Sequence, residues 1–168
     1  MAHWSDVGRR AHNVAVRISA KSDYAVRAAI VLASAGAKES VKAETIARSQ
    51  EIPLKFLLNI LSELRRGRIV TSHRGTHGGF QLARPADEIT VADIIRAMEG
   101  PLASVHEILP EDISYPPPSK SLRQVWVAVR ASLRTVLESV TLADLASGSL
   151  PDVVVRLSAS PEAWSVRM

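Results

Sequence analysis

The chain contains no cysteine among its 168 residues. That absence excludes disulfides, cysteine nucleophiles and metal or iron–sulfur sites built from cysteine. The sequence also lacks any apolar run near the roughly 18 residues that a membrane-spanning helix needs. Residues 1–15 have no apolar segment of the kind that secretory signals carry. We therefore expect a cytoplasmic protein.

Recognisable catalytic patterns are also missing. The sequence shows no nucleophile-elbow pattern, no paired metal-ligand spacing and no dinucleotide fingerprint, so we expect no enzymatic activity. His106, Glu107, Glu111 and Asp112 could supply ligands to a metal, but an acidic loop of this kind is more often simply solvated. We predict neither a metal nor a cofactor.

Charge is unevenly spread along the chain, whose formal net charge is +4. The first 100 residues carry 15 Lys and Arg against 10 Asp and Glu, whereas the remaining residues carry 6 against 7. A basic first half joined to a near-neutral second half suits a head that binds a polyanion such as nucleic acid. From charge alone, a solvated surface with a local bias is an equal alternative.

Apolar periodicity, caps and breakers predict a mainly α-helical chain with one small β-hairpin. The predicted helices are residues 19–35, 40–50, 54–66, 91–98, 121–140 and a short 141–145, and the predicted strands are residues 69–72 and 79–82. Helix, short helix, tight turn, helix and hairpin is the order of a winged helix-turn-helix domain. We divide the chain into an N-terminal extension (1–15), this DNA-binding domain (16–100), a sensor or linker loop (101–120), a dimerisation helix region (121–147) and a flexible tail (148–168).

The third predicted helix has the properties of a recognition helix. Its apolar stripe is Leu57, Ile60, Leu61 and Leu64, and another face groups Lys55, Asn59, Ser62 and Arg66. Asn59 suits adenine and Lys55 suits guanine or phosphate, while Leu58 could pack on a thymine methyl. The alternative is an amphipathic helix whose polar face is merely solvated.

A glycine-rich hairpin tip, residues 73–79, is the predicted wing. Arg74 could enter a minor groove, where narrow A·T tracts concentrate negative potential, and His77 is a further candidate contact. A phosphate-binding loop of an enzyme is the competing interpretation, but such a loop leads from a strand to a helix, whereas this one joins two strands. His73 and His77 are four residues apart but not on a helix, so we do not expect them to form a metal pair.

The long predicted helix carries apolar residues that alternate in steps of four and three. This pattern is a heptad seam typical of a dimer interface, and its members are Leu122, Trp126, Val129, Leu133, Val136 and Val140. The alternative is that this helix packs on its own domain.

Several segments, in this order, resemble the Rrf2 family of bacterial transcriptional regulators. They are RISAKSDYAVRA (17–28), IA (46–47), IPLKFL (52–57), LRR (64–66), RG (74–75), GGFQLARP (78–85), ITVADIIRAMEGP (89–101), Trp126 and TLADL (141–145). The resemblance covers residues 16–145, and its linked motifs make it highly specific.

The resemblance implies a homodimer that brings two recognition helices and two wings to a palindromic operator. Carried over by position, Lys55, Phe56 and Asn59 occupy the places of the family's major-groove residues. Arg74 matches the wing arginine that enters the minor groove, and Lys21 is a candidate phosphate contact. Repression is the default expectation. A winged-helix protein-interaction module without specific DNA binding is the alternative.

The sequence departs from the family pattern in the loop at residues 101–120. The resemblance associates this loop with an iron–sulfur cluster held by three cysteines in many relatives, and here the loop has none. A family-type cluster ligated by cysteine is therefore impossible in this chain. A small-molecule or protein effector stays open.

Overall fold

The computed structural model describes residues 18–36, 39–75, 78–105 and 108–165. The predicted N-terminal extension, His77, His106 and Glu107 lie outside these ranges. Within them the α-helices are α1 (Ala20–Ala35), α2 (Ala43–Gln50), α3 (Leu54–Arg66), α4 (Val91–Glu99), α5 (Leu122–Leu137), α6 (Leu142–Ser147) and α7 (Asp152–Ala159). An antiparallel hairpin pairs β1 (Val70–His73) with β2 (Gly79–Leu82). The mainly α-helical fold class with a hairpin wing is confirmed.

Helix α1 lies at the centre of the DNA-binding domain and packs against α3, α4 and α6. Ser19 caps it by accepting a hydrogen bond from the Ser22 backbone N–H at 3.1 Å. The buried face of α1 is made largely of alanine, with Ala25, Ala28 and Ala29 fully buried. Because alanine has a short side chain, three helices can approach this face closely and share one core.

Matching capping boxes start α4 and α6. Thr90 caps α4 together with Asp93, and Thr141 caps α6 together with Asp144. The two starts are joined because the Val91 N–H donates to the Val140 carbonyl at 2.9 Å. Although we expected residues 141–147 to belong to the dimerisation region, α6 packs on α1, and its Leu142 is fully buried in the main core.

The C-terminal stretch differs from the predicted flexible tail. It contains α7 and a 3₁₀ turn, Pro161–Trp164, whose Trp164 indole donates to the Ser158 carbonyl at 2.7 Å. Pro151 is the N-cap residue of α7, and Asp152 follows in the first turn. Proline and an acidic residue both favour a helix start. None of the helices in the described part of the chain has the length and apolar character that crossing a bilayer requires.

Candidate nucleic-acid interface

Helix α3 presents a polar, basic face to solvent. Its bounds are those predicted, its apolar stripe is buried, and Lys55, Asn59, Ser62 and Arg66 are all exposed. Leu58 is exposed on the edge of the same face. An α-helix of this diameter fits the major groove of B-DNA, where amide and cationic side chains can reach base edges. The structure therefore brings together the four side chains that the spacing grouped.

A tight turn sets the direction in which α3 leaves α2. Glu51 adopts the left-handed conformation at φ 54°, and Ile52 turns into the core, its N–H donating to the Ala47 carbonyl at 2.9 Å. Pro53 then stands at the N-cap of α3. The turn therefore fixes the direction of α3 relative to α2. Reading specific bases requires such precise placement of the recognition helix.

Lys21, which we expect to contact a phosphate, forms contacts within its own chain. Its ammonium donates to the Glu63 carboxylate at 3.1 Å and to the Met98 carbonyl at 2.7 Å. These bonds tie α1 to α3 and to the end of α4. They also neutralise Glu63, the sole acidic residue of α3. Lys21 therefore links the recognition helix to α1 and α4, and its contact with a DNA phosphate stays a prediction.

Phe56 is half-turned away from the polar face of α3. It packs edge-on against Tyr24, with ring centroids 5.8 Å apart, and 38% of its surface remains exposed. The Arg27 guanidinium stacks over the other aromatic ring, that of Tyr24, and donates to the Gln50 carbonyl. Phe56 thus lies between α1 and α3. Part of its surface remains accessible at the edge of the interface.

A cluster around Glu99 holds the start of α1 against the end of α4. The Glu99 carboxylate accepts hydrogen bonds from the hydroxyls of Ser19 and Ser22, the latter at 2.6 Å. Partial burial works to raise the pKa of this carboxyl, but the serine hydrogen bonds and the nearby Lys21 charge together hold the pKa below its ordinary value. The cluster therefore favours the ionised form.

The wing is a twisted hairpin braced by the segment before α2. Phe80 of β2 exchanges both backbone hydrogen bonds with Val41 at 2.8 Å. A Cβ on Gly79 would lie 2.6 Å from the Val41 carbonyl oxygen, so this glycine permits the close approach of the chain's own backbone. Arg74 is exposed at the tip, while the His73 ring hydrogen-bonds to Gln81 at 2.7 Å.

Three basic residues meet at the root of the wing, and the sequence alone does not group them. Arg65 and Arg68 lie at the end of α3 and in the following turn, and Arg84 follows β2. Arg65 donates to the Ser72 hydroxyl at 3.3 Å, which links helix to hairpin. The dense run of arginines between residues 65 and 68 was the available signal, but only the fold brings Arg84 close to Arg65 and Arg68.

Helix α5 is divided between contacts to its own subunit and exposed apolar surface. The predicted seam residues Trp126, Val129, Leu133 and Val136 are half-buried, and Leu122 is exposed. The expectation for Val140 was wrong as to its element: α5 ends at Leu137, and Val140 is buried beside α4. The adjacent Thr141 capping box begins a new helix, which explains why the seam cannot continue.

The loop between α4 and α5 is anchored to α5 by polar contacts. Glu111 forms an ion pair with Arg130, and the Trp126 indole donates to the Tyr115 hydroxyl at 3.1 Å. Hydrogen bonds from its own backbone N–H and from Arg130 lower the pKa of the Glu111 carboxyl. Among the described residues, no group of three or more His, Asp or Glu is placed to hold a metal ion. With no cysteine in the chain, these residues do not fit a cysteine-ligated iron–sulfur cluster.

A helix-turn-helix pair with a basic exposed second helix, followed by a two-stranded hairpin, defines a winged helix-turn-helix DNA-binding protein. The sequence profile of the Rrf2 family, described as iron-dependent transcriptional regulators, matches residues 18–148. The chain belongs to the Rrf2 family of transcriptional regulators. That membership confirms the resemblance drawn from the sequence motifs.

Similar proteins agree with this assignment. A Mycobacterium tuberculosis protein named as an HTH-type transcriptional regulator, Rv1287, is 50% identical over 143 residues, which cover 85% of this chain and 89% of the relative. The structure of CymR, the global cysteine regulator of Bacillus subtilis, superposes with a TM-score of 0.66 at 36% identity, covering 79% of this chain and 97% of CymR. IscR of T. potens superposes with a TM-score of 0.62 at 30% identity, covering 90% and 93%.

Proposed function

We propose that the protein represses transcription by binding a palindromic operator as a homodimer. In each subunit α3 enters the major groove, and Arg74 of the wing enters the adjacent minor groove. Asn59 and Lys55 read base edges, while Ser62 and Arg66 contact the backbone further along the helix. His77 is a further candidate contact. A small dimer of this kind acts most simply by blocking access of the polymerase.

The exposed face of α3 carries this proposal. Lys55, Asn59, Ser62 and Arg66 share one solvent-exposed face, and the acidic Glu63 of the same helix is paired with Lys21. No ion pair among the described residues includes Lys55 or Arg66. A face that carries these cations and an amide complements a polyanion that presents hydrogen-bonding base edges.

The surface of α5 supports the dimer. Leu122 and Val125, three residues apart on one side of the helix, are exposed, and 51% of the Val125 surface is accessible. Only part of the helix is covered by its own subunit, chiefly through Tyr115, Glu111 and α4. Pairing with a second α5 would bury this apolar surface and give two recognition helices the two-fold relation that a palindrome matches.

A genomic selection tests the proposed function. Purified protein is incubated with fragmented genomic DNA, and the retained fragments are sequenced. We expect a few palindromic sites, and we expect a variant carrying Lys55→Ala and Asn59→Ala to lose them. Retention of no sequence above background at low salt, or equal enrichment by wild type and variant, would contradict the proposed mode of readout.

A further inference from the structure

A cavity of about 550 Å³ lies at the root of the wing, between the end of α3, the turn that follows it and β1. Three arginines, Arg65, Arg68 and Arg84, contribute to its lining together with the hydroxyl residues Thr71 and Ser72. Such a concentration of positive charge and hydroxyl donors has the chemistry of an oxyanion site.

Two of the three arginines form no ion pair with a described carboxylate, whereas the third does. Arg84 is paired with Asp93 at 3.5 Å and donates to the Glu88 carbonyl at 3.0 Å. None of the ion pairs among the described residues includes Arg65 or Arg68. A ligand in the cavity would therefore meet two guanidinium groups that no described carboxylate neutralises.

The pairing of β1 with β2 also leaves one backbone N–H of β1, that of Ser72, facing away from the hairpin. The Ala83 N–H donates to the Ile69 carbonyl, and Phe80 directs both backbone groups to Val41. Since hydrogen-bonded and non-hydrogen-bonded pairs alternate in an antiparallel ladder, Ser72, opposite Phe80, turns its N–H away from β2. This N–H lies at the free edge of β1, beside the Ser72 hydroxyl that Arg65 contacts.

We propose that the wing-root cavity binds a phosphate-class oxyanion, held by Arg65, Arg68 and Ser72. The phosphate has two sources with the same chemistry: a phosphodiester of bound DNA or a free phosphate-bearing ligand. The first rests on the proposed function. A DNA phosphodiester is the source favoured by position, because Arg65 is adjacent to Arg66 on α3. Arg65 also lies on the side of the exposed polar face of α3 that is nearer the wing.

Arg68 provides a variant that separates binding from folding. It adopts the left-handed conformation at φ 57°, and the Ile69 N–H donates across it to the Leu64 carbonyl at 2.9 Å. This is the helix-ending geometry in which glycine is the preferred residue. Arg68→Gly should therefore unfold at the same or a higher temperature than wild type while lacking the guanidinium. Arg156→Gln, an exposed arginine on α7 outside the cavity, is the control with the same loss of charge.

Two titrations on the full chain decide between the sources. In the first, affinity for an operator fragment is measured against NaCl concentration. A bound phosphodiester predicts that Arg68→Gly lowers the slope of log affinity against log salt by about 0.9 per subunit, and affinity about eightfold at 0.1 M NaCl, with Arg156→Gln near wild type. In the second, sodium phosphate is added to DNA-free protein, and the arginine side-chain N–H signals are followed by NMR. A free ligand predicts saturable shifts that Arg68→Gly abolishes and Arg156→Gln retains.

The proposal is overturned if folded Arg68→Gly matches Arg156→Gln in both titrations. A wild-type protein that binds no operator at low salt would instead contradict the proposed function. In that case the phosphate titration alone decides whether the cavity is an oxyanion site.

Discussion

Substituting Gly67 by alanine tests how α3 is fixed to the domain. Gly67 follows the last residue of α3, and a Cβ placed on it would lie 2.8 Å from the Ala97 Cβ of α4. Carbon atoms in favourable contact are about 3.5–4 Å apart. Neither methyl group can rotate away, so α3 and α4 must separate locally. Backbone conformation is not the obstacle, because Gly67 has φ −74° and ψ 1°, which alanine adopts readily.

The expected destabilisation follows from two opposing contributions. Overpacking a tight contact costs about 1–3 kcal/mol. Replacing glycine by alanine recovers about 0.4–1 kcal/mol by restricting the unfolded chain. We therefore expect Gly67→Ala to lower the free energy of unfolding by about 1–2 kcal/mol. For a protein of this size the midpoint of thermal unfolding should fall by about 2–8 °C.

A double-mutant cycle supplies the assay and its control. Ala97→Gly removes the opposing methyl but places glycine within α4, at a cost of about 1 kcal/mol. In the double variant the overlap is gone, so it should be more stable than the sum of the single effects by about 1 kcal/mol or more, measured by denaturant unfolding. A Gly67→Ala variant as stable as wild type, or effects that add within about 0.5 kcal/mol, would refute the close-contact interpretation.

Four further outcomes are expected. Asn59→Ala should weaken operator binding by about 1–3 kcal/mol and relax preference at one base position; unchanged discrimination among singly substituted operators would count against base readout. Arg74→Ala should lose affinity mainly on A·T-rich flanks, whereas equal loss on all DNA would indicate a plain phosphate contact. Leu133→Asp should give a monomer in sedimentation velocity, and an intact dimer would disprove the α5 interface. Glu99→Gln should lower stability at neutral pH. Because folding lowers the pKa of Glu99, the wild-type advantage should vanish as acid protonates the carboxylate, and equal midpoints at pH 7 would contradict this.

Local patterns predicted the recognition helix and the wing well. The stripe from Leu57 to Leu64, with Pro53 before it and Gly67 after it, specifies α3 without reference to the rest of the chain. The two short strands around a glycine-rich tip specify the hairpin in the same way. Each of these signals depends on near neighbours in sequence, which is why the bounds of α3 matched the structure.

Contacts between distant segments were beyond reach of such patterns. Lys21 meets Glu63 and Met98 only once three helices have packed together. The family resemblance marks Lys21 as a candidate phosphate contact, but sequence spacing carries no information about these two partners. The gathering of Arg84 with Arg65 at the wing root depends likewise on tertiary packing.

Helix ends near competing caps were misjudged for a local reason. Apolar periodicity carried the seam through Val140, whereas Thr141 and Asp144 form a capping box that starts α6. We also predict a tail from residue 148, although Pro151 within it stands at the start of α7, where proline is favoured. In both places the residue chemistry allowed two interpretations, and packing selected one.

Hydroxyl-radical footprinting on a site recovered from the genomic selection tests the central claim most directly. A dimeric winged helix-turn-helix regulator predicts two symmetric protected regions whose centres are about one helical turn, roughly 34–36 Å, or a multiple of it apart. Wild type should also protect the flanking minor grooves, and Arg74→Ala should lose that flanking protection. A single protected region, or uniform protection along the fragment, would contradict specific binding by a two-fold dimer.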